Sequence, residues 1–224
     1  MCGRFTLYDS AMKIKNRFNA EPGNVQMTPN YNAAPGQMMP VIIQDGNKNK
    51  QLLMKWGYIP HWAKDIKIGY RLINSVSETC FDKPVWKNAI RHFRCLVPAN
   101  GFYEWKNDVS GKKQPFYIYP KENHLFAFAG VWSTWHDAEN HEIQSFSIMT
   151  TMPNKEMAAI HNRMPVMLTR DEEKLWLDPN RDDRKDIENL LLPYQDNKLE
   201  IYEVSPKVNN ARNNSAELIQ KISV

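Results

Sequence analysis

The sequence predicts an α+β fold: one compact domain over residues 1–224, built on a curved, barrel-like, mostly antiparallel β-sheet flanked by short helices. Three observations lead there. The middle of the chain is a succession of short apolar runs separated by polar turns, the helical patterns lie at the start and in the last third, and no strand–helix–strand alternation of a parallel sheet occurs.

The elements follow in order. "DSAMKIKNRF" begins with the N-cap candidate Asp9 and sets Ala11, Ile14 and Phe18 on one helical face, which predicts a first helix. "PVIIQ" and "QLLMKW" flank "DGNKNK", whose Asp-Gly pair predicts a hairpin. "RCLVPA", "PFYIY", "LFAFAGVW" and "SFSIMTT" read as further strands, with "NDVSGKKQ" and "HDAENHEI" as turns. "PNKEMAAIH" reads as a short helix, and "TRDEEKLWL" opens with Thr169 and Glu172 at capping-box spacing. "DDRKDIENLLL", "LEIYEV" and "SAELIQ" complete the chain as a helix, a strand and a short irregular element.

At 224 residues, with 42% hydrophobic and 24% charged residues, the chain suits one globular core and excludes a disordered or fibrous class. No stretch is long and apolar enough for a membrane span and no secretory apolar run opens the chain, so the expectation is a cytoplasmic protein without a membrane partner, working as a monomer. Cys2, Cys80 and Cys95 are odd in number and lack CxxC or Cys/His spacing, which argues against a disulfide framework and a structural zinc. A formal charge of +4 is compatible with a polyanion without requiring one.

The chemistry-bearing residues admit two readings each. Removal of Met1 would make Cys2 an α-amine and a thiol in one residue; otherwise Cys2 is a small second residue. Glu104, among Phe102, Tyr103 and Trp105, is either a desolvated proton carrier or an edge-strand carboxylate facing water. His161, at a helix end before a proline, is either structural or catalytic. Asn74 either forms a turn or offers an amide to a ligand.

Taken in order, "MCGRF", "YNAAPGQ", "WGYIPHWAKD", "INSVSET", "LVPANGFYEW", "IHNRMPVML" and "VNNARNNSAELIQ" closely resemble the SOS-response-associated peptidase family, from Cys2 to about Ile219. The resemblance implies covalent capture of abasic sites in single-stranded DNA, with the N-terminal cysteine closing a thiazolidine on the sugar aldehyde. That chemistry accounts for the second position. An α-amine is roughly a quarter neutral near pH 7.4 against about 0.1% for a lysine amine, and only a terminal cysteine has both groups of the five-membered ring. The resemblance further implies that Glu104 shuttles protons at the amine, His161 protonates the sugar ring oxygen, and Asn74 holds the terminus and sugar. No metal or cofactor is required. DNA contact is expected from Arg4, Trp56, Trp62, Lys64 and Lys83, where tryptophans and cations interleave as on single-strand stacking platforms; a core position is the other reading of Trp56.

Two departures from the family pattern stand out. Val76 replaces an arginine that touches DNA, with Lys83, Lys87 or Arg91 as candidate substitutes, and Asn162 stands where an aspartate is common beside His161. Two other classes fit some of the same residues: a thiol peptidase in which Cys2 attacks an amide with His161 as base, including the Met1–Cys2 bond itself, and a non-covalent reader of single-stranded or modified DNA.

Overall fold

Strands form where apolar residues alternate or run between polar turns. A computed structural model describes residues 2–21, 27–107 and 111–222 of the chain. Its strands in chain order are Phe5–Leu7 (β1), Ala20–Glu21 (β2), Asn30–Ala33 (β3), Met38–Asp45 (β4), Lys48–Trp56 (β5), Asn74–Val76 (β6), Arg94–Ala99 (β7), Gly101–Asn107 (β8), Lys113–Pro120 (β9), Phe126–His136 (β10), Glu142–Thr151 (β11), Met164–Pro165 (β12), Met167–Leu168 (β13) and Leu199–Glu203 (β14). The helices are Ala11–Phe18 (α1), Pro84–Lys87 (α2), Ala89–His92 (α3), Lys155–Ala158 (α4), Arg170–Leu177 (α5) and Arg184–Glu188 (α6).

The sheet closes on itself. β11 pairs with β10, β10 with β7, β7 with β4 and β4 with β5, all antiparallel, and β5 returns to β11 in parallel, so that five strands form a mixed barrel. β6 adds to β11 in parallel through Asn74↔Ile148, and a second, antiparallel sheet runs in the order β14-β9-β8-β1-β3. The result is one α+β domain with a barrel, a second sheet and short helices. The barrel closes because its apolar faces bury against one another, which removes strand edges as well as surface from water. Among the described residues no helix is long and apolar enough to cross a membrane.

The expected hairpin is β4–β5. Asp45 faces Lys48 across a two-residue tip, and Gly46 takes the left-handed conformation with φ of 58° that such a turn needs. The Thr169–Glu172 capping box is formed at α5. α1 buries Ile14 and Phe18 as its spacing predicts, but its N-cap is Ser10, whose hydroxyl accepts from Lys13 N at 3.3 Å, and not Asp9. Asp9 is drawn aside because its carboxylate pairs with Lys13 Nζ at 2.7 Å and accepts from Asn100 Nδ2 at 2.8 Å. The turn "NDVSGKKQ" includes residues 108–110 and lies partly outside the described residues.

Aromatic packing joins the second sheet to the barrel. Phe5 of β1 lies 5.0 Å from Trp56 and 6.0 Å from Phe128, Phe102 of β8 lies 5.9 Å from Phe128, and Trp56 stacks on Phe146 at 6.3 Å. Each fully buried ring contributes on the order of 2 kcal/mol. Gly101 opens β8 where there is no room for a side chain, because a Cβ there would lie 2.3 Å from the Tyr117 ring. Tyr117 cannot retreat, being buried and hydrogen-bonded through its hydroxyl to Thr6 Oγ1 at 2.9 Å. Gly101→Ala is therefore expected to lower the urea unfolding free energy by about 1–3 kcal/mol. Gly46→Ala, which meets nothing within 4 Å, costs about 1 kcal/mol through backbone strain alone. Equal midpoints for Gly101→Ala and the wild type would show that β8 has slack at this point.

Candidate functional site

β1 and β8 set the distance between the chain start and Glu104. Phe5 pairs with Phe102 and Tyr103 N donates to Arg4 O at 3.0 Å, so the antiparallel register carries the residues before Arg4 toward Glu104. Cys2 is fully buried and joins the main core. Its carbonyl oxygen accepts from Asn74 Nδ2 at 2.9 Å, and its thiol has only a long 4.0 Å approach to Arg4 O. Burial first, and then the negative charge of Glu104, push the Cys2 thiol up from its ordinary range, with the chain's amino terminus and the Arg4 backbone acting weakly against them. The thiol is accordingly neutral in this environment.

Asn74 belongs to a strand and not to a turn, and it is 9% exposed. β6 rather than a loop presents it because Ile73 O and Asn74 are tied into β11: Ile148 N donates to Ile73 O at 3.1 Å. Asn74 Oδ1 is buried and accepts no hydrogen bond among the described residues, so the same side chain that grips Cys2 keeps an acceptor in reserve. Glu104 lies within β8 and is 3% exposed, so it does not face water.

Glu104 and His161 line one cleft of about 380 Å³ with Trp105, Lys113 and Asn209. His161 follows α4, whose N-cap Asn154 accepts from Met157 N at 2.9 Å, and His161 N donates to Met157 O at 2.9 Å. The ring nitrogen Nδ1 lies 3.0 Å from Arg163 N. Asn162 is exposed, and Nδ1 of the ring takes its hydrogen bond from the main chain of the next residue along.

Arg4 is half-buried and heavily committed. Its Nη1 donates to Asn32 Oδ1 and to Val208 O, both at 2.8 Å, and Nη2 donates to Asn209 O at 3.4 Å. Asn32 completes the clamp by donating to Val208 O, Asn210 O and Asn213 O at 3.2, 3.1 and 3.0 Å. Asn209 then accepts from Trp105 Nε1 at 2.7 Å. Arg4 thus supports the segment that brings Asn209 to the cleft. No carboxylate pairs with it among the described residues, so its positive charge is not cancelled.

The expected DNA-contacting residues separate into three groups. Trp56 is corrected: it is fully buried, stacked on Phe146, and its indole N–H donates to Ile73 O at 3.0 Å, so it offers no face to a base. The end of an apolar strand is carried inward by barrel closure, and the indole finds its polar partner there. Trp62 is 56% exposed and, with Lys64, Lys67 and Arg71, borders a separate hollow of about 480 Å³. The loop that presents it is held by Trp135 Nε1 donating to Ala63 O at 2.7 Å. Lys83 is exposed just before α2, and no contact ties it to the Glu104 cleft among the described residues. Arg91 lies over the Phe81 ring at 5.5 Å and donates to Asp182 O at 3.3 Å, which leaves it poorly suited to replace the arginine absent at Val76.

Sequence reasoning missed Asn32, Lys113, Arg163 and Asn209. Only the asparagine-rich tail "VNNARNN" carried a signal, since four amides in seven residues are many for a surface turn.

Against this geometry stand three comparisons. The family model described as SOS response associated peptidase (SRAP) matches residues 1–211. The chain is 44% identical over 223 residues to the abasic site processing protein YoaM of Bacillus subtilis, covering 98% of this chain and 97% of that one. It is also 32% identical to the abasic site processing protein HMCES of Xenopus tropicalis, over 87% of this chain and 66% of that one. A crystal structure of a Bacteroides thetaiotaomicron protein superposes with a TM-score of 0.91 at 26% identity, covering 99% of this chain and all of that one. With the family model spanning nearly the whole chain and a near full-length relative at 44% identity, the protein belongs to the SOS response associated peptidase family.

Proposed function

We propose that this protein protects DNA by capturing abasic sites in single-stranded DNA covalently, through a thiazolidine formed by Cys2 as the mature N-terminal residue. The observation that carries the reading is the grip of Asn74 on Cys2, since one amide fixes the Cys2 carbonyl while its buried oxygen is kept for a donor. The names of the Bacillus and Xenopus relatives support abasic DNA as the target.

The chemistry runs through groups already described. Once Met1 is removed, the α-amine belongs to Cys2. Its nitrogen adds to the aldehyde carbon of the open-chain sugar, and loss of one water gives the imine. Cys2 Sγ then bonds to the imine carbon while the thiol proton passes to nitrogen, closing the ring. Glu104 accepts and returns the amine protons and assists reversal of the link, His161 gives a proton to the ring oxygen as the closed sugar opens, and Asn74 Oδ1 accepts from the amine or a sugar hydroxyl. Trp62 and Lys64, with Lys67 and Arg71, supply stacking and phosphate contact along the strand, and the uncancelled charge of Arg4 draws a phosphate toward the cleft.

The state of the thiol favours this order over a thiol peptidase acting on other proteins. A peptidase begins with a thiolate, whereas burial and Glu104 hold this thiol neutral. In thiazolidine formation the amine begins, and the thiol adds as a neutral group to a carbon already activated as an imine. A purely non-covalent reader leaves the Cys2–Asn74 contact without a purpose.

Mature protein mixed with single-stranded DNA bearing one abasic site is expected to give a one-to-one product that survives a denaturing gel, with the mass of the two components less one water. Cys2→Ala, acetylation of the amine, or DNA without the lesion should give none, and Cys2→Ser should give no stable product. A stable product from Cys2→Ser would exclude the thiazolidine. His161→Ala and Glu104→Gln are expected to slow adduct formation by about 10²-fold or more. Through the α-amine, whose ordinary pKa is about 7.7–8.0, the amine-dependent step should accelerate as pH rises to about 8. Single-turnover rates on pre-opened aldehyde DNA would measure this slope, and a flat profile would remove the amine from the reaction.

A further inference from the structure

His161 is seated on the main chain of Arg163. The ring nitrogen Nδ1 lies 3.0 Å from Arg163 N and 3.2 Å from Arg163 O, so one residue brings both a donor and an acceptor to the same atom. The Arg163 side chain is fixed in turn. Its Nη1 and Nη2 donate to the two oxygens of Glu78 at 2.7 and 2.9 Å, and Nη2 also donates to Thr150 O at 2.6 Å. Most exposed ion pairs do little, but this one is bidentate, its arginine side chain is 15% exposed, and a third bond anchors it to β11. Glu78 lies in the 3-10 turn Ser77–Thr79 that follows β6 directly, so the strand that carries Asn74 also carries the anchor of the histidine loop.

We propose that Glu78 and Arg163 are positioning residues for His161. The ion pair fixes the Arg163 peptide, its N–H holds neutral His161 with the proton on Nε2, and its carbonyl receives Nδ1–H when the ring is charged. The reasoning rests on the two nitrogens of imidazole. A neutral ring has one donor and one acceptor, and a peptide N–H directed at Nδ1 claims its lone pair, which sends the proton to Nε2. A second proton then enters at Nδ1, and the carbonyl oxygen beside it accepts that bond after a small turn of the ring. A group that both gives and takes a proton in one reaction cycle keeps its seat in both charge states. Neither Glu78 nor Arg163 needs to touch the reacting atoms for this. The role assigned to His161 is the one proposed above, and the seat can be judged separately from it.

The test uses ¹⁵N-labelled full chain and two readouts. Long-range proton–nitrogen spectra of the ring, assigned with His161→Ala, should show neutral His161 as the Nε2–H form in the wild type and a mixture of tautomers in Glu78→Ala. Adduct formation with abasic single-stranded DNA should slow by roughly tenfold in Glu78→Ala, well short of the loss caused by removing the imidazole. Glu78→Asp, which keeps a carboxylate for the guanidinium, should recover part of both signals, and Glu78→Gln, which keeps the shape and loses the charge, serves if the alanine variant does not fold. A slower reaction with an unchanged tautomer would overturn the proposal in favour of a general structural role, as would no change in either readout. A wild type that forms no lesion-dependent adduct would sink the proposed function, while the ring spectra would still decide the seat.

Discussion

Phe5 reaches from a three-residue strand into the space between two sheets, and its ring lies against Trp56 and Phe128 of the barrel. Only two residues separate it from Cys2, so the start of the chain can stray no further than about 10 Å from a point fixed in the core. Burial of that ring is worth about 2–3 kcal/mol, more than the roughly 1 kcal/mol of a single hydrogen bond such as Asn74 to Cys2. Location is thus set by apolar packing and orientation by the amide. Residues next to a chain terminus are ordinarily among the least ordered of a domain, and here Cys2 lies in the core with the same rings that join the two sheets.

The electrostatics of the cleft follow from that placement. Drawing Cys2 into the core removes water from the thiol, and β8 brings a carboxylate near it, so both effects favour the protonated sulfur. Arg4 keeps its positive charge among carbonyl and amide oxygens instead of carboxylates, which shapes the tail without neutralising the guanidinium. A buried neutral thiol, a carboxyl shielded from water and an uncancelled cation are the surroundings on which the proposed capture of an aldehyde rests.

Local chemistry made much of the fold legible. Asp45 and Gly46 set the β4–β5 hairpin whatever surrounds it, and the Thr169–Glu172 pair caps α5 with groups three residues apart. The burial of Glu104 was legible because it stands among Phe102, Tyr103 and Trp105, and the place of His161 was legible from the short helix before it. Trp56 was not, since a tryptophan at a strand end among cations gives no sign of whether barrel closure will carry it inward to Ile73. Nor were Asn32 and Asn209, whose partners lie far along the chain: an amide accepting from Arg4 and donating to three carbonyls beyond residue 207 leaves no local trace. The seat of His161 was hidden for another reason, because peptide groups supply it and every residue has those.

The clamp between Arg4, Asn32 and the segment after Pro206 bears on how the molecule is made. A ribosome delivers Glu104 and His161 well before Asn209, so these two side chains exist while one lining residue of their cleft is still missing. Arg4 and Trp105 find their carbonyl and amide partners 204 and 104 positions further along the chain. Assembly of the cleft therefore depends on long-range contacts that form only after residues 208 and 209 are in place.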